Sequence, residues 1–140
     1  MLVNIKRLHP NAKIPMRARP GDAGMDLTAI SKEWSPEDQV WIYSTGLAIE
    51  IPEGYVGLIF PRSSLFKAGL SLSNAVGVID SGYRGEIKFM FYASTMRQEY
   101  NIGDRIGQLI VMPYPKVEFF QVAELSQSTR GEGGFGSTGK

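Results

Sequence analysis

Asn74 to Met90 reads NAVGVIDSGYRGEIKFM, and how this stretch is read decides the fold. Val76 to Ile79 is an apolar strand end that stops at Asp80. Ser81-Gly82 predicts a turn. From Glu86 onward Ile87, Phe89 and Phe91 alternate with Lys88, Met90 and Tyr92, which is the period of a second strand. Gly82 and Gly85 flank Tyr83-Arg84, so the reversal is tight and backbone can come close to a ligand. The expectation is a hairpin that presents Asp80 and Tyr83 on one rim, with open backbone N–H and C=O groups between its strands. A carboxylate, a ring and open backbone edges can hold a small polar ring and do acid–base work beside it. The same residues also read as an ordinary tight hairpin with a solvated Asp80.

Outward from there the chain is a series of short extended pieces. Leu2 to Leu8, Met25 to Leu27, Val40 to Tyr43, Leu47 to Ile51 and Tyr55 to Phe60 read as strands before the central stretch. Arg105 to Met112 and Val117 to Val122 read as strands after it. Pro61 to Gly69 predicts one short helix, with Ser63 as its cap and Gly69 at its end. Leu70 to Asn74 then leads into the central stretch. With Gly/Pro turns between and no long 3.6-residue period, the expectation is an all-β barrel or sandwich. It comprises one β-barrel domain over residues 1–125 and a flexible glycine-rich arm over residues 126–140.

Composition narrows the chemistry. The chain has 140 residues, enough for one domain with a real core. Fifteen basic and 14 acidic side chains give a net charge of +1, which offers no electrostatic case for a nucleic-acid polymer. Cysteine is absent, so disulfides, thiolate metal sites and a Cys nucleophile are excluded. His9 is the only histidine, which leaves a Ser-His-Asp triad or a His-based zinc site almost nothing to work with. No apolar run approaches membrane-spanning length and no signal-peptide core is present, which fits an intracellular, cytoplasmic protein.

The last residues, RGEGGFGSTGK, contain two motifs that mislead. Gly131, Gly133 and Gly136 satisfy G-x-G-x-x-G, and Gly134 to Lys140 satisfies G-x-x-x-x-G-K. A dinucleotide fingerprint needs a strand before it and a helix after it, and a Walker loop needs Ser or Thr and then a helix. What remains is a flexible backbone with many free N–H groups, the hydroxyls of Ser137 and Thr138, and Arg130. Such a tail can grip an anion, and Phe135 adds a ring that a plain solubilising terminus has no need of.

Five stretches in order resemble the dUTP pyrophosphatase (dUTPase) family, of the trimeric all-β type. They are Ala23 to Leu27; Pro61 to Leu65 with Lys67 and Gly69-Leu70; Gly77 to Ile87; Gly103 to Ile110; and Arg130 to Gly139. The resemblance covers the whole chain. It implies a jelly-roll-like β-barrel and a homotrimer with active sites shared between subunits, the C-terminal arm of one closing a site formed by the others. The implied reaction is hydrolysis of dUTP to dUMP and pyrophosphate by water attack on the α-phosphate, with Mg2+ on the triphosphate. That reaction keeps uracil out of DNA and supplies dUMP for thymidylate synthesis.

Roles follow from the resemblance residue by residue. Asp80 matches the carboxylate that activates the water and holds the sugar 3′-hydroxyl, and Tyr83 matches the ring packed under the deoxyribose. Asn74, Gly77, Val78, Ile79 and Lys88 match the uracil-reading groups, most of them through backbone. Arg62, Ser63 and Ser64 match a phosphate-binding loop, Gln108 an amide on the phosphates, and Arg130 the arm's arginine on the terminal phosphate. Phe135 would stack on uracil while Gly136, Ser137 and Thr138 close over the phosphates. Asp26 matches an acidic residue near the metal, acting through water because magnesium keeps much of its hydration. Met25 and Gly107 depart from the commoner residues at their positions, and neither is expected to touch substrate. Asp104-Arg105 reads as a structural turn.

Two rivals share the pattern. A dCTP deaminase would need a glutamate ten residues beyond Asp80, where this chain has Met90, which cannot move a proton. A dUTP-binding regulatory protein would be marked by loss of Asp80 or of the arm, and both are intact.

Overall fold

The computed structural model describes residues 1–93 and 99–135. In chain order the elements are β1 (Asn4–Arg7), β2 (Met25–Thr28), β3 (Ser31–Ser35), β4 (Val40–Ser44), β5 (Leu47–Glu50) and β6 (Tyr55–Pro61). There follow α1 (Leu65–Ala68), β7 (Leu70–Leu72), β8 (Gly77–Ile79), β9 (Lys88–Ala93) and β10 (Arg105–Pro113). Two four-stranded sheets, ordered β2-β10-β6-β8 and β3-β4-β9-β7, enclose the core, and β1 and β5 form a small third sheet. All pairings are antiparallel, yet among the described strands only β3 and β4 are partners consecutive in sequence. This is the crossing connectivity of a jelly-roll-like fold.

Inward-facing residues of both sheets build the core. Tyr43, Phe89, Leu27, Leu47 and Ile106 are wholly buried, each contributing about 1.5–3 kcal/mol by leaving water. Tyr43, Phe91 and Tyr100 meet edge-on or tilted, with centroids 5.7–6.2 Å apart. The Tyr43 hydroxyl donates to the Tyr100 carbonyl at 3.1 Å. Burial, reinforced by the Glu99 charge, pushes the Tyr43 phenol well above its ordinary range.

The central stretch is not a hairpin. Gly77–Ile79 pairs with β6 in one sheet, whereas Lys88–Ala93 lies between β4 and β7 in the other. The reason is Ile87, which is buried and bonded elsewhere: its N–H donates to Leu47 O (2.8 Å), and its carbonyl accepts from Thr45 Oγ1 (2.7 Å). That anchoring commits the outgoing chain to the opposite sheet, so Asp80 to Glu86 forms a link between sheets. The turn inside it is as expected, with Tyr83 N–H donating to Asp80 O at 3.1 Å.

Two other expectations are corrected, and one strand was not foreseen. Ser64, not Ser63, stands at the helix N-cap, in αR geometry and without a side-chain cap bond; Gly69 ends the turn at φ 64° as expected. Ser31–Ser35 is a strand that its polar composition hides, held by Trp34 against Trp41 (centroids 5.2 Å) and by the Lys32 ammonium over the Trp41 ring (4.3 Å). Val117 to Val122 is not a strand. Beyond β10, residues 114–132 carry neither helix nor strand and lie exposed, Phe119 at 97% and Phe120 at 89%. An alternating segment becomes a strand only beside a partner edge, and this chain does not supply one to it.

Candidate active site

A row of side chains runs across three adjacent strands. Gln108 of β10 stands opposite Asp26 of β2 on one side and Phe60 of β6 on the other. Arg62 and Ser63 follow as β6 ends, and these five line one cleft of about 480 Å³ together with Gly24. Gly24 leaves the Gln108 amide its place: a Cβ at this position would lie 2.1 Å from Gln108 Oε1. Glycine thus lets the amide lie flat against the backbone.

The half-buried Asp26 carboxylate accepts from Arg62 Nε at 3.1 Å and from Arg105 Nη1 at 2.8 Å. The Asp26 carboxylate is thus balanced by two guanidiniums, and Arg62 is the cation this cleft can offer an anion, with Asp22 on the same lining. Ser63 is exposed and its hydroxyl has no partner among the described residues. Since α1 is a single turn, its dipole is small, and the groups the cleft can offer an anion here are the Arg62 guanidinium and the Ser63 hydroxyl.

The central stretch forms a second group. None of Asn74, Asp80 and Tyr83 lines the cleft. Asp80 is exposed at the end of β8, an edge strand whose outward backbone groups face away from β6. Ile79 is buried while Val78 is 60% exposed, so β8 shows one face to solvent. Gly77 is packed so closely on Ile59 that a Cβ would meet Ile59 Cγ1 at 2.3 Å, and the Asn74 amide lies alongside. Ala75, between them, is held at φ 57°, a left-handed conformation that costs a non-glycine residue energy. Tyr83 lays its hydroxyl end over Gly85, donating to the Glu86 carbonyl at 3.0 Å. Arg84 closes the link onto Ser81 O and Glu50, at 2.6 and 2.9 Å. Lys88 is exposed, its Nζ 3.6 Å from Glu86 Oε2.

The tail forms a third group. Arg130 donates to its own Gly133 carbonyl at 2.8 Å, and Phe135 is fully exposed with φ 48°. Gly136, Ser137 and Thr138 lie outside the described residues. Sequence reasoning missed Arg105, which bonds Asp26, and it missed Gly24; Asp104 is the turn residue expected, its carboxylate accepting from Asn101 N–H at 2.7 Å.

No cluster of three or more His, Asp or Glu among the described residues could cage a metal. Both Asp26 oxygens already accept a guanidinium N–H, with lone pairs left for water. That donor set fits magnesium carried on a polyphosphate and met through water, since this ion holds its hydration and takes few protein ligands. No helix among the described residues is long and apolar enough to cross a membrane.

The fold and site define a jelly-roll-like domain with a polar cleft around Arg62, Asp26 and Gln108, a separate carboxylate–tyrosine turn and a glycine-rich tail. The chain belongs to the dUTPase family, whose model matches residues 10–139. It is 45% identical over 141 residues to the deoxyuridine 5′-triphosphate nucleotidohydrolase of Streptomyces coelicolor, covering 98% of this chain and 76% of that one. Its fold matches a mutant dUTPase of Staphylococcus bacteriophage 80alpha with dUpNHpp at a TM-score of 0.85, with 30% identity and 99% of both chains covered. A mutant dUTPase from phage phi11 of S. aureus, described with a structural Mg(II) ion, matches at 0.76 with 27% identity, over 89% of this chain and 98% of that one.

Proposed function

We propose that this dUTPase hydrolyses dUTP to dUMP and pyrophosphate in sites completed by several copies of the chain, with Asp80 as the base. The observation that carries the reading is the division of the matching residues. Asp26, Arg62, Ser63 and Gln108 share one cleft, while Asp80 and Tyr83 stand on a link that does not line it. Arg130 and Phe135 project on a tail without apolar packing beneath. A homotrimer would unite the three groups, the cleft and loop from one subunit, the Asp80 link from a second and the arm from a third.

In such a site the triphosphate lies in the cleft against Arg62, Ser63 and Gln108, with Ser64 following on the adjoining turn. Uracil lies along the exposed edge of β8, read by the backbone of Gly77, Val78, Ile79 and Lys88 and by the Asn74 amide. Tyr83 offers its open ring face to the deoxyribose, leaving no room for a ribose 2′-hydroxyl. The Asp80 carboxylate takes a proton from water as the water oxygen attacks the α-phosphorus, and pyrophosphate leaves with its charge met by Arg62 and Arg130. Magnesium, arriving on the triphosphate near Asp26, supplies further charge neutralisation. Phe135 stacks on the base while Gly136, Ser137 and Thr138 cover the phosphates, excluding bulk water.

The test is Asp80→Asn. Turnover should fall by about 10²–10⁴-fold, the usual worth of a positioned general base, while dUpNHpp still binds. Retained turnover would remove Asp80 from the base role.

A further inference from the structure

Arg105 lies in the chain three residues before Gln108. In a regular strand that odd spacing would put the two side chains on opposite faces. The pairing of β10 with β2 slips between Arg105 and Gly107: Gln108 stands opposite Asp26, but Arg105 stands opposite Thr28. Thr28 and Asp26 are two apart on β2 and share a face, so the bulge turns Arg105 to the same side as Gln108. Bulges re-aim side chains in this way beside functional sites.

What the re-aimed guanidinium meets is Asp26, at 2.8 Å. It comes from outside the cleft. Arg105 lines a neighbouring groove of about 570 Å³ and not the cleft that holds Arg62, Ser63 and Gln108, whereas Asp26 borders both. Arg7, Lys13 and Arg17 also line that groove, yet among the described residues only Arg105 of these cations bonds Asp26. Asp26 therefore has one guanidinium on each side, Arg62 in the cleft and Arg105 behind.

A carboxylate in a phosphate-binding cleft works against the ligand twice, since it repels the polyanion and competes for Arg62. Both penalties shrink when a second cation neutralises it from behind. We propose that Arg105 is a positioning residue that compensates the Asp26 charge, freeing Arg62 for the triphosphate without touching the nucleotide itself. The inference rests on the reading of this cleft as the triphosphate site.

The experiment is a double-mutant cycle on the full-length chain, measuring affinity for dUpNHpp and for dUMP by calorimetry with magnesium chelated. Arg105→Met should weaken dUpNHpp by about tenfold, as loss of a charge contact to a partly buried carboxylate does, with dUMP changed less than about twofold. Asp26→Asn alone, which removes the carboxylate that competes for Arg62, should tighten dUpNHpp by up to about threefold. Combined with Arg105→Met it should restore affinity to within about threefold of the parent, a non-additive result. Additive losses, or equal weakening of dUpNHpp and dUMP, would overturn the proposal by making Arg105 a general structural or long-range charge. Arg62→Met is the control. If it weakens dUpNHpp while Arg105→Met does not, this inference alone fails; if Arg62→Met has no effect, the cleft does not hold the phosphates and both readings fall.

Discussion

Gly107 and Phe89 divide a single space between them. A Cβ on residue 107 would lie 2.2 Å from Phe89 Cε1 and 2.9 Å from the Phe60 carbonyl, and Phe89 is wholly buried, so its ring has nowhere to retreat. The glycine is the complement of the phenylalanine opposite. Gly107→Ala should therefore destabilise the fold by about 1–3 kcal/mol, the usual cost of overpacking. Phe89→Leu should offset part of that loss in the double variant, because it clears the ring side of the space while the contact with the Phe60 carbonyl remains. Urea unfolding of the two single variants and the double checks this, and strictly additive losses would refute the steric account.

Gly24 and Gln108 look similar but predict the opposite kind of outcome. The atom a Gly24 Cβ would strike is Gln108 Oε1, the free end of a flexible side chain. Gly24→Ala should cost little stability, since the amide can swing aside, but it evicts that amide from the cleft. The expected result is a fall in kcat/KM for dUTP of about tenfold, on the scale of one lost hydrogen bond to a charged group, with an unchanged unfolding midpoint. Gln108→Ala should lose as much, and the double variant no more than either. An unaffected kcat/KM would mean that the amide does not serve the phosphates from this position.

These two glycines also show how far sequence carried the structure. Alternation in Ile87 to Tyr92 and the apolar run of Arg105 to Met112 were enough to place β9 and β10, because burial on a pleated face leaves a period of two in the chain. Which strands pair was not legible. Ile79 and Ile87 both read as core, and nothing local says that they serve opposite sheets; that is set by hydrogen bonds to Leu47 and Thr45 some 40 residues away. Arg105 was dismissed for a related reason, since a bulge that slips the register by one residue leaves no mark in composition. The strand expected over Val117 to Val122 failed because alternation reports a preference for an edge, not the presence of one on the same chain. Asp26, Arg62, Ser63 and Gln108 were legible together because each sits in a motif matched as a block, and the structure brings those four to one cleft.

Stability at high pH should depend on Tyr43. Its phenol titrates higher in the folded protein than in the unfolded chain. Above the ordinary tyrosine value of about 10, the unfolded chain therefore releases a proton that the native state retains. Alkali then favours unfolding, and the stability held below that pH is lost as pH rises past it. Tyr43→Phe removes the hydrogen bond to the Tyr100 carbonyl and should cost about 1 kcal/mol at neutral pH. The variant should also lose stability less steeply between about pH 10 and 12. Denaturant unfolding across that range measures both effects, and parallel curves for parent and variant would assign the alkaline sensitivity to other groups.

Two truncations separate what the exposed C-terminal segment does. Val117, Phe119, Phe120, Val122 and Leu125 are all exposed on the single chain, and they precede Arg130 and Phe135. The apolar part is the part that gains by leaving water, at about 25 cal/mol per Å² buried against another copy; the glycine-rich part has little area to bury and matters for what its few functional side chains touch. Truncation after Gln127 should leave the fold and the proposed trimer intact while lowering turnover of dUTP by orders of magnitude. Truncation after Tyr114 should disperse the oligomer as well, without unfolding the body, whose core is complete by Leu109. Light scattering coupled to size exclusion, read beside a pyrophosphate-release assay, distinguishes the cases. Full turnover in the shorter truncation would refute the closing role of the arm, and an intact oligomer in the longer one would place the subunit contacts elsewhere on the barrel.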